Sequence, residues 1–298
     1  MKKYIFLTAA ILFPFLFTAC NDDDNNNDTG TLKLSITDAP LDSKDINEMN
    51  ITVSDVQYHI QDNEWKSFDE FEGPKCYNLL DLTRGESDML GQFDLEPGTY
   101  TQLRFILDAP DKGQGTPSNP SSYLVFENGS EEALFVPSGS QTGYKATGQF
   151  TVPSNGTVDV TADFDARKSV VQAGASGMYI LKPTIRLVVD NQAGSITGDV
   201  TNIPEGSEAV VYAYEDGDYT EEEAEDPEEE DVRFPEAVTS DMVDEEGVYK
   251  LSYLAPESYD LIVVETIDGE FSSVLGTVED VEVTSLDESI SDINIEEL

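Results

Sequence analysis

The sequence predicts an all-β protein built as two tandem antiparallel β-sandwiches. Apolar and polar residues alternate with a period of two in many short runs, as in strands with one buried face. Turn residues separate these runs, and no segment sustains the period of an amphipathic helix of ordinary length. A chain of 298 residues is long enough for two domains with separate cores. We place the first sandwich at residues 31–190 and the second at residues 194–298.

The first 30 residues differ in composition from the rest of the chain. Lys2 and Lys3 precede a short apolar run that ends in Leu16-Phe17-Thr18-Ala19-Cys20. This run is shorter than the ~20 residues that a membrane-spanning helix needs, so a cleaved signal peptide is expected at residues 1–19. The acidic, Asn-rich segment that follows contains little apolar surface to bury. Residues 20–30 are therefore expected to form a flexible, solvated tether.

The segment ending at Cys20 resembles the lipobox of bacterial lipoproteins, although Phe17 stands where leucine is usual. The resemblance implies cleavage before Cys20, a diacylglycerol on its sulfur and an acyl chain such as palmitate on its amine. Several chains would make this anchor stable, because a single chain binds membranes only marginally. Ordinary secretion with an unmodified thiol is the alternative.

The acidic run after Cys20 resembles the export tags of some surface lipoproteins of Bacteroidota. That resemblance implies a lipid anchor in the outer membrane with the globular part facing out of the cell. The periplasmic face is the alternative location.

The charge of the chain argues against two kinds of partner. The sequence has 61 Asp+Glu against 16 Lys+Arg, a formal net charge of -45. No nucleic-acid partner is expected, because such binding needs cations that displace counterions from phosphate. Electrostatic docking onto anionic lipids is disfavoured for the same reason. Weak binding of divalent cations is compatible with this charge.

The sequence shows no catalytic constellation, so no enzyme activity, cofactor or metal centre is expected. His59 is the single histidine, which argues against a multi-histidine zinc site and leaves one candidate base for a catalytic triad. It lies in a strand-like run and is interpreted as incidental. If Cys20 is acylated, Cys76 has no disulfide partner, and we interpret it as a small, half-buried residue. With 61 acidic residues, chance carboxylate pairs are inevitable and none stands out as a glycosidase pair.

The first strands have a clear pattern. One strand carries apolar residues at alternate positions: Leu32, Leu34 and Ile36. In the next run, Ile51 and Val53 are out of phase with Val56 and Tyr58. A one-residue slip would turn half of that strand inside out, so we predict a β-bulge at Ser54-Asp55.

Turn residues predict further strands in the first sandwich. The turn at residues 95–100 leads into a strand whose buried face is expected to carry Leu103, Phe105 and Leu107. Asn128-Gly129 predicts a hairpin between Tyr123–Phe126 and residues 133–136, since both residue types tolerate positive φ. A short strand is expected at residues 65–71, and a helical turn only at residues 84–91.

Two predictions concern the end of this sandwich. Residues 144–152 and 158–164 are expected to pair around the turn at Pro153. Residues 179–189 alternate as one strand, and Pro183 within them favours an edge position because proline cannot donate to a ladder.

Six stretches in this half of the chain carry a family resemblance. They lie, in order, at residues 30–40, 79–82, 97–104, 136–139, 163–170 and 179–183. Together they resemble the domain of unknown function 4382, a family of secreted bacterial and archaeal proteins. The family has no assigned chemistry, so the resemblance implies no catalytic residues.

The second unit opens at Gly194-Ser195-Ile196-Thr197-Gly198. It continues with Gly247-Val248-Tyr249, Leu254-Ala255-Pro256 and Tyr259-Asp260-Leu261. These stretches resemble the carboxypeptidase regulatory-like, transthyretin-like sandwich, although Glu257 stands where glycine usually follows the proline. In that family the module is accessory to catalysis and has been likened to carbohydrate-binding folds.

The densest acidic run lies at residues 215–231. Its carboxylates are of the type that binds Ca²⁺, but the spacing of an EF-hand is absent. A mobile, mutually repelling loop between Tyr214 and Phe234 is the preferred interpretation.

Two other groups of residues are candidates for binding. The charged residues at one strand end are interpreted as ion pairs rather than as an anion site: Asp163, Asp165, Arg167 and Lys168. Five aromatic residues would stack on sugar rings if they were exposed in a row, although packing is the preferred interpretation: Trp65, Tyr212, Tyr214, Tyr219 and Tyr249.

These observations favour a surface or outer-membrane lipoprotein that binds, adheres or scaffolds, with an unknown glycan or protein as its ligand. A fimbrial-type structural subunit is the alternative. A hydrolase ranks last, because histidines are scarce and no nucleophile motif such as G-x-S-x-G is present.

Overall fold

The structure is a computed structural model that describes residues 28–39, 45–59, 64–111, 120–137, 143–173, 177–227 and 231–298. Within these ranges the protein is nearly all β, as the sequence predicted. The described strands before residue 190 form ladders only with one another, and so do those after it. We call these two parts the first unit and the second unit.

The strands of the first unit have the following bounds: β1 Gly30–Ala39, β2 Ile46–His59, β3 Lys66–Ser67, β4 Lys75–Asn78, β5 Asp88–Leu95, β6 Gly98–Tyr100, β7 Gln102–Leu107, β8 Tyr123–Phe126, β9 Glu131–Phe135, β10 Tyr144–Ala146, β11 Phe150–Val152, β12 Thr157–Asp165, β13 Val170–Ala173, β14 Met178–Leu181 and β15 Ile185–Val189. One short helix, α1 (Ala166–Ser169), follows β12. Short 3₁₀ turns lie at Leu79–Asp81 and Asp190–Gln192.

Two large sheets enclose the core of the first unit. One has four strands in the order β15-β12-β1-β5. The other has nine, in the order β10-β7-β2-β8-β9-β14-β13, with β3 and β4 also paired to β2. The predicted alternation on β1 is confirmed, since Leu32, Leu34 and Ile36 are fully buried. Phe164 on β12 meets Phe105 on β7 edge to face at 5.3 Å, so the two sheets share one core.

The predicted β-bulge is confirmed. The register of β2 against β7 shifts between Val53 and Asp55. Ile51, Val53 and Val56 are all fully buried despite their opposite phases. The bulge therefore keeps one face of β2 towards the core.

The predicted hairpin is confirmed as β8 and β9, which pair antiparallel. Gly129 has a φ of 78° and donates its N–H to the carbonyl of Phe126 at 2.8 Å. Phe126 in turn donates to the carbonyl of Ser130 at 2.9 Å. Only the glycine of the pair has positive φ, which gives a turn followed by a left-handed residue rather than a two-residue turn.

Four local predictions for the first unit differ from the structure. Helical turns lie at Leu79–Asp81, in α1 and at Asp190–Gln192, whereas residues 84–91 run through a tight turn into β5. Residues 144–152 divide into β10 and β11, which pair with β7 and β6 and not with β12. Residues 179–189 divide at Pro183 into β14 and β15, which belong to different sheets. The predicted strand at residues 65–71 is reduced to the two residues of β3.

The strands of the second unit have the following bounds: β16 Gly194–Thr201, β17 Glu208–Glu215, β18 Thr239–Met242, β19 Val248–Leu254, β20 Ser258–Ile267, β21 Glu270–Glu282, β22 Glu288–Ile290 and β23 Ile293–Asn294. They form two sheets, which we call the β16 sheet (β19-β16-β22, with β23 also paired to β16) and the β17 sheet (β18-β17-β20-β21). The apolar core between them includes Ile196, Val211 and Leu261. Short 3₁₀ turns lie at Glu221–Ala224 and Ile295–Glu297.

The sheets are not purely antiparallel, although most of the pairs are. The pairs β1–β12, β9–β14, β16–β22 and β16–β23 run parallel. Parallel neighbours require long connections, so their partners are distant in the sequence and local patterns do not reveal them.

The same tyrosine corner occurs in both units. In the stretch Leu95-Glu96-Pro97-Gly98-Thr99-Tyr100, the buried Tyr100 hydroxyl donates to the carbonyl of Glu96 at 2.9 Å. In Leu254-Ala255-Pro256-Glu257-Ser258-Tyr259, the buried Tyr259 hydroxyl lies 3.1 Å from the carbonyl of Ala255 and 3.0 Å from the carboxylate of Glu257. Each tyrosine thus ties the start of a strand to the turn before it, as in the corners of other sandwiches.

Candidate functional site at the junction of the two units

Basic side chains of the first unit bind the second unit. Arg84 makes the largest set of contacts, with Nη1 at 2.7 Å from the Asp244 carboxylate and Nε at 2.9 Å from that of Asp241. Its Nη2 donates to the carbonyls of Met242 and Val248 at 2.6 and 3.1 Å. One guanidinium thereby engages β18, β19 and the turn between them.

The backbone around Arg84 is arranged to present this side chain. Arg84 and Gly85 have φ values of 56° and 87°, and Glu86 donates to the carbonyl of Thr83 at 3.0 Å. Both central residues of the turn are therefore left-handed, which is costly for arginine. The Thr37 hydroxyl lies between the carbonyls of Leu82 and Glu86, at 2.9 and 2.7 Å, and fixes the turn to β1.

Arg167 and Lys168 on α1 make the second set of contacts. Arg167 Nη1 donates to the carbonyls of Arg233 and Phe234, both at 2.9 Å. Lys168 Nζ donates to the carbonyl of Ala237 at 2.6 Å. Both cations also pair with Asp165 at 3.6 Å, which confirms the predicted ion pairs at the end of β12.

Arg186 on β15 makes the third contact. It is held at 2.6 Å from the buried carboxylate of Asp163 and donates through Nη1 to the carbonyl of Tyr253 at 2.8 Å. The prediction that Asp163 takes part in an ion pair is thus confirmed. The sequence did not predict that these pairs join the two units.

Four of the stretches that carry the family resemblance meet at this end of the first unit. Residues 30–40 contribute Thr37, residues 79–82 lead into the Arg84 turn, and residues 163–170 contain α1. Residues 179–183 join them through the backbone hydrogen bond from Lys182 to the Ser169 carbonyl, at 2.7 Å. The second unit docks where these stretches converge.

Burial shifts the titration of the carboxyls at the junction. It raises the pKa of Asp38 well above its usual range, and the nearby Asp163 and Asp165 add to this. Burial also raises the pKa of Asp163, and it raises that of Asp241 to about 6 although Arg84 opposes the shift. The hydrogen bond from Arg84 lowers the pKa of the more exposed Asp244. The junction therefore contains carboxyls that are costly to ionise.

Two open grooves flank the junction. The first, of about 840 Å³, is lined by Lys168 and Lys182 of the first unit and by acidic side chains of the second unit such as Glu222, Asp226 and Glu236. The second, of about 670 Å³, is lined by Arg84 together with apolar residues such as Leu80 and Ile203. Each groove combines residues of both units, so ligand binding there would depend on how the units are docked.

The described residues of the acidic run contact the β17 sheet. Its flanking Phe234 is 1% exposed and packs on the outer face of the β17 sheet with Tyr212 and Tyr214. The Glu223 carboxylate accepts from the Tyr214 hydroxyl at 2.9 Å and from the Glu236 N–H at 3.1 Å. Tyr219 and Ala224 pack against this aromatic cluster, and Glu221–Ala224 form a 3₁₀ turn, so the described residues contact the sheet; their mobility stays a prediction. Within the described ranges, no group of three or more His, Cys, Asp or Glu side chains is placed to hold a metal ion.

The aromatic residues do not form an exposed row. Tyr212, Tyr214 and Tyr249 are buried, which confirms packing as the better interpretation. Trp65 lies in the other unit, where the Arg104 guanidinium stacks 3.8 Å from its ring centroid. A sugar-stacking platform made of these residues is therefore excluded.

The remaining candidate residues are distributed over the chain. Cys20, the predicted lipid attachment site, lies outside the described residues. His59 is the last residue of β2, as expected of a strand histidine, with its ring 5.3 Å from that of Trp65. Cys76 is exposed on β4 rather than half-buried, because its side chain points away from the core beside the buried Tyr77.

Comparison with known families identifies the family to which the first unit belongs. A family described as "Domain of unknown function (DUF4382)" matches residues 29–183, just over half of the chain. The chain belongs to this family. Three of the four basic residues of the junction, Arg84, Arg167 and Lys168, lie within the residues that the DUF4382 family matches, and Arg186 follows them.

Comparison with solved structures gives only remote likenesses. The Bacillus anthracis TIE protein is 12% identical with a TM-score of 0.21, and 89% of this chain covers 33% of that one. GBS52, the minor pilin of Streptococcus agalactiae, is 11% identical with a TM-score of 0.21, with coverages of 88% and 94%. The shaft pilin spaA of Lactobacillus rhamnosus GG is 12% identical with a TM-score of 0.23, with coverages of 89% and 96%. Likenesses this remote carry no functional argument.

No curated protein matches the chain. In the part of the chain that the structure describes, no helix has the length and apolar character needed to cross a membrane.

Proposed function

We propose that this DUF4382 protein is a non-catalytic lipoprotein of the outer membrane that binds a ligand or acts as a scaffold outside the cell. The observation that carries the location is the lipobox-like segment ending at Cys20, followed by an acidic, Asn-rich tether. The junction supports a binding role, since grooves of about 840 and 670 Å³ lie where the two units meet. The ligand is a glycan or a protein, and no nucleic acid is expected.

We further assign the second unit to the carboxypeptidase regulatory-like, transthyretin-like sandwiches. The L-x-P turn and the Y-x-L strand of the resemblance are joined in space, because the Tyr259 hydroxyl lies within hydrogen-bond distance of the Ala255 carbonyl and the Glu257 carboxylate. Tyr249 of the G-x-Y stretch is fully buried and donates to the carbonyl of Ser291 at 2.7 Å. Both tyrosines thus have structural roles in this unit.

The anchor is tested by mass spectrometry of the full chain purified from membranes. The expected mature N-terminus is Cys20 carrying a diacylglycerol and an acyl chain, and Cys20→Ser is expected to release the protein from the membrane fraction. Protease treatment of intact cells then identifies the face, with cleavage before lysis expected. An unmodified thiol at the mature N-terminus would refute the anchor, and full protection until lysis would place the protein in the periplasm.

The binding role is tested with a glycan array and a pull-down, using the full chain with and without Ca²⁺. A double change in the first groove, Lys168→Ala with Lys182→Ala, is expected to weaken capture of the ligand. Lys66→Ala is the control, because Lys66 is exposed on β3 away from both grooves. Turnover of a glycan or peptide that a single carboxylate change abolishes would instead identify a hydrolase.

A fimbrial-type structural subunit is the second candidate, and one observation favours it. The β17 sheet ends in β21, a strand of 13 residues at the outer position of the sheet order. An edge strand of this length can accept a strand from another chain. Ladders of polymer on unboiled gels are expected in this case, whereas a strictly monomeric mature form contradicts it.

A further inference from the structure

A cluster of one aromatic and two basic side chains lies on the nine-stranded sheet of the first unit. Arg104 on β7 is opposite Lys145 on β10. Its neighbours Leu103 and Phe105 are buried in the core, so the Arg104 side chain points away from the core. The Arg104 guanidinium carbon lies 3.8 Å from the centroid of the Trp65 ring, and Lys145 Nζ lies 5.9 Å from it. We call Trp65, Arg104 and Lys145 the basic patch.

No acidic side chain neutralises the basic patch. Within the described part of the chain, neither Arg104 nor Lys145 forms an ion pair with a carboxylate, and Arg104 Nε is buried without a hydrogen-bond partner. Burial alone lowers the pKa of Arg104. At the junction, by contrast, Asp244 and Asp241 outweigh the effect of burial and raise the pKa of Arg84.

The nearby carboxylate of Asp55 is engaged by neutral donors. It lies on β2, where it accepts from Gln57 Nε2 at 3.0 Å and from the Ser67 hydroxyl at 2.6 Å. The two cations of the basic patch therefore share one aromatic ring without a counter-charge. A bound anion would relieve the repulsion between them.

This lack of partners stands out in a chain with a net charge of -45 and only 16 Lys and Arg. Several other exposed or half-buried basic residues pair with carboxylates, among them Lys33, Arg233 and Lys250. The patch has thus kept two unpaired cations where acidic residues are abundant.

We propose that the basic patch binds the carboxylate or sulfate groups of an acidic polysaccharide. The guanidinium of Arg104 stacks on Trp65 through its face and can still bind an oxyanion through its edge, with two parallel hydrogen bonds. Lys145 is exposed and supplies the second charge.

The surroundings of the patch suit a sugar chain. The amide side chains of Gln57 and Gln102 are at alternate positions to core residues on β2 and β7, so they lie on the same face as Arg104 and can bind sugar hydroxyls. The net charge of the chain repels densely charged polyanions most strongly, which favours a ligand whose acidic groups are widely spaced. No residue of the patch lines either groove of the junction, so this proposal is independent of ligand binding there.

The test is a fluorescence titration of the full chain with polygalacturonate, lightly sulfated dextran and unmodified dextran. Trp65 is the single tryptophan of the chain, so its emission reports directly from the patch. A saturable change is expected with at least one acidic polymer and none with dextran, and the affinity should fall as salt is added. The acidic polymer that binds more tightly identifies the recognised group as carboxylate or sulfate.

The variant Arg104→Gln with Lys145→Gln is expected to weaken binding by at least about tenfold. Arg104→Lys keeps the charge but loses the planar fork, so a smaller loss is expected. This single change also keeps the proposal testable if the double variant does not fold, which circular dichroism shows.

The matched control is Lys33→Gln with Lys66→Gln, which removes the same charge from the first unit. Lys33 lies on β1 in the other sheet, and Lys66 alternates with Trp65 along the chain, so its side chain points to the opposite face. The control is expected to change the affinity by less than about twofold.

Four outcomes would overturn the proposal. They are no saturable binding of either acidic polymer, equal binding of dextran, unchanged affinity in the double variant, and tighter binding of polyglutamate, which would assign the patch to an acidic peptide. Binding that is lost only in Lys168→Ala with Lys182→Ala would also contradict it. That last result would keep the binding role of the first groove and exclude the basic patch from it.

Discussion

At the scale of single residues, the two tyrosine corners show how one hydroxyl can fix the start of a strand. Tyr100 and Tyr259 occupy equivalent positions in the two units and are 1% and 0% exposed. Each hydroxyl lies within hydrogen-bond distance of a carbonyl four residues earlier, and that of Tyr259 also lies 3.0 Å from the Glu257 carboxylate. Removing the hydroxyl leaves that carbonyl without its donor but keeps the aromatic ring in place.

We expect Tyr100→Phe and Tyr259→Phe each to lower the free energy of unfolding by about 1 kcal/mol. Urea denaturation followed by circular dichroism measures the effect. Tyr253→Phe is the control, because its exposed hydroxyl makes only a 3.3 Å contact with the carbonyl of Gly85. A loss in the control equal to that in both corner variants would show that the corner bonds have no special role.

Some residues of the junction could be predicted from the sequence, and others could not. The pairs of Asp165 with Arg167 and Lys168 could be predicted because these opposite charges lie close together along the chain, whereas Asp163 pairs with the distant Arg186. Arg84 was missed as a functional residue, since its partners Asp241 and Asp244 are more than 150 positions away. The signal that was available is a lone arginine before glycine in a turn.

At the scale of elements, β2 shows that a shift in the alternation of apolar and polar residues along a strand encodes a β-bulge. The strand remains buried on one face because Ser54 and Asp55 absorb the shift between Val53 and Val56. Deleting Ser54 would bring Ile51, Val53 and Val56 into one phase and make the ladder with β7 regular. The bond from the Ser54 hydroxyl to the Ile106 carbonyl, at 3.0 Å, would be lost.

We expect deletion of Ser54 to be tolerated at a cost of about 1–3 kcal/mol in the free energy of unfolding. Deletion of Thr52 is expected to prevent folding, because it puts Ile51 and Val53 on opposite faces of β2. Circular dichroism and urea denaturation of the two deletions provide the comparison. Equal losses of stability in the two deletions would contradict the argument that side-chain phase decides the outcome. They would show that the bulge itself stabilises the fold.

Elements also show where local patterns mislead. Residues 144–152 and 158–164 read as a hairpin because a turn separates two apolar runs. In the structure, β12 instead joins β1 in parallel, and β11 pairs with β6. Turn residues indicate where a strand ends. The strand with which it then pairs depends on which arrangement buries the apolar faces of the sheet.

At the scale of the whole molecule, the docking of the two units depends on basic side chains in an acidic protein. The net charge of -45 repels the units from each other, and the described junction opposes this with Arg84, Arg167, Lys168 and Arg186. Arg167 is 5% exposed, so its removal leaves the carbonyls of Arg233 and Phe234 without their donor. Unsatisfied groups of this kind cost more than the net gain of an ordinary hydrogen bond.

We expect the double change Arg84→Ala with Arg167→Ala to separate the units while each stays folded, at a cost of about 2–4 kcal/mol in docking free energy. Small-angle scattering should show a larger radius of gyration. Limited proteolysis should cut near residues 190–194, where the first unit passes into the second.

The matched control for this experiment is Lys33→Ala with Lys66→Ala. Both lysines belong to the first unit, and Lys33 makes only an exposed pair with Asp159 at 3.5 Å. This control should keep the compact form, since exposed pairs contribute little. An unchanged radius of gyration in the arginine variant would show that apolar contacts hold the units together.

The sequence by itself determined the all-β class, the bulge in β2 and the hairpin at Gly129. These features depend on neighbouring residues, whose alternation and turn preferences can be seen in one stretch of chain. Only the tertiary structure decided the parallel pairs, the docking of the units and the basic patch of Trp65, Arg104 and Lys145. The physical reason is that ion pairs and strand ladders form between residues that are close in space. Folding brings together residues that are far apart along the sequence, so local patterns do not reveal these partners.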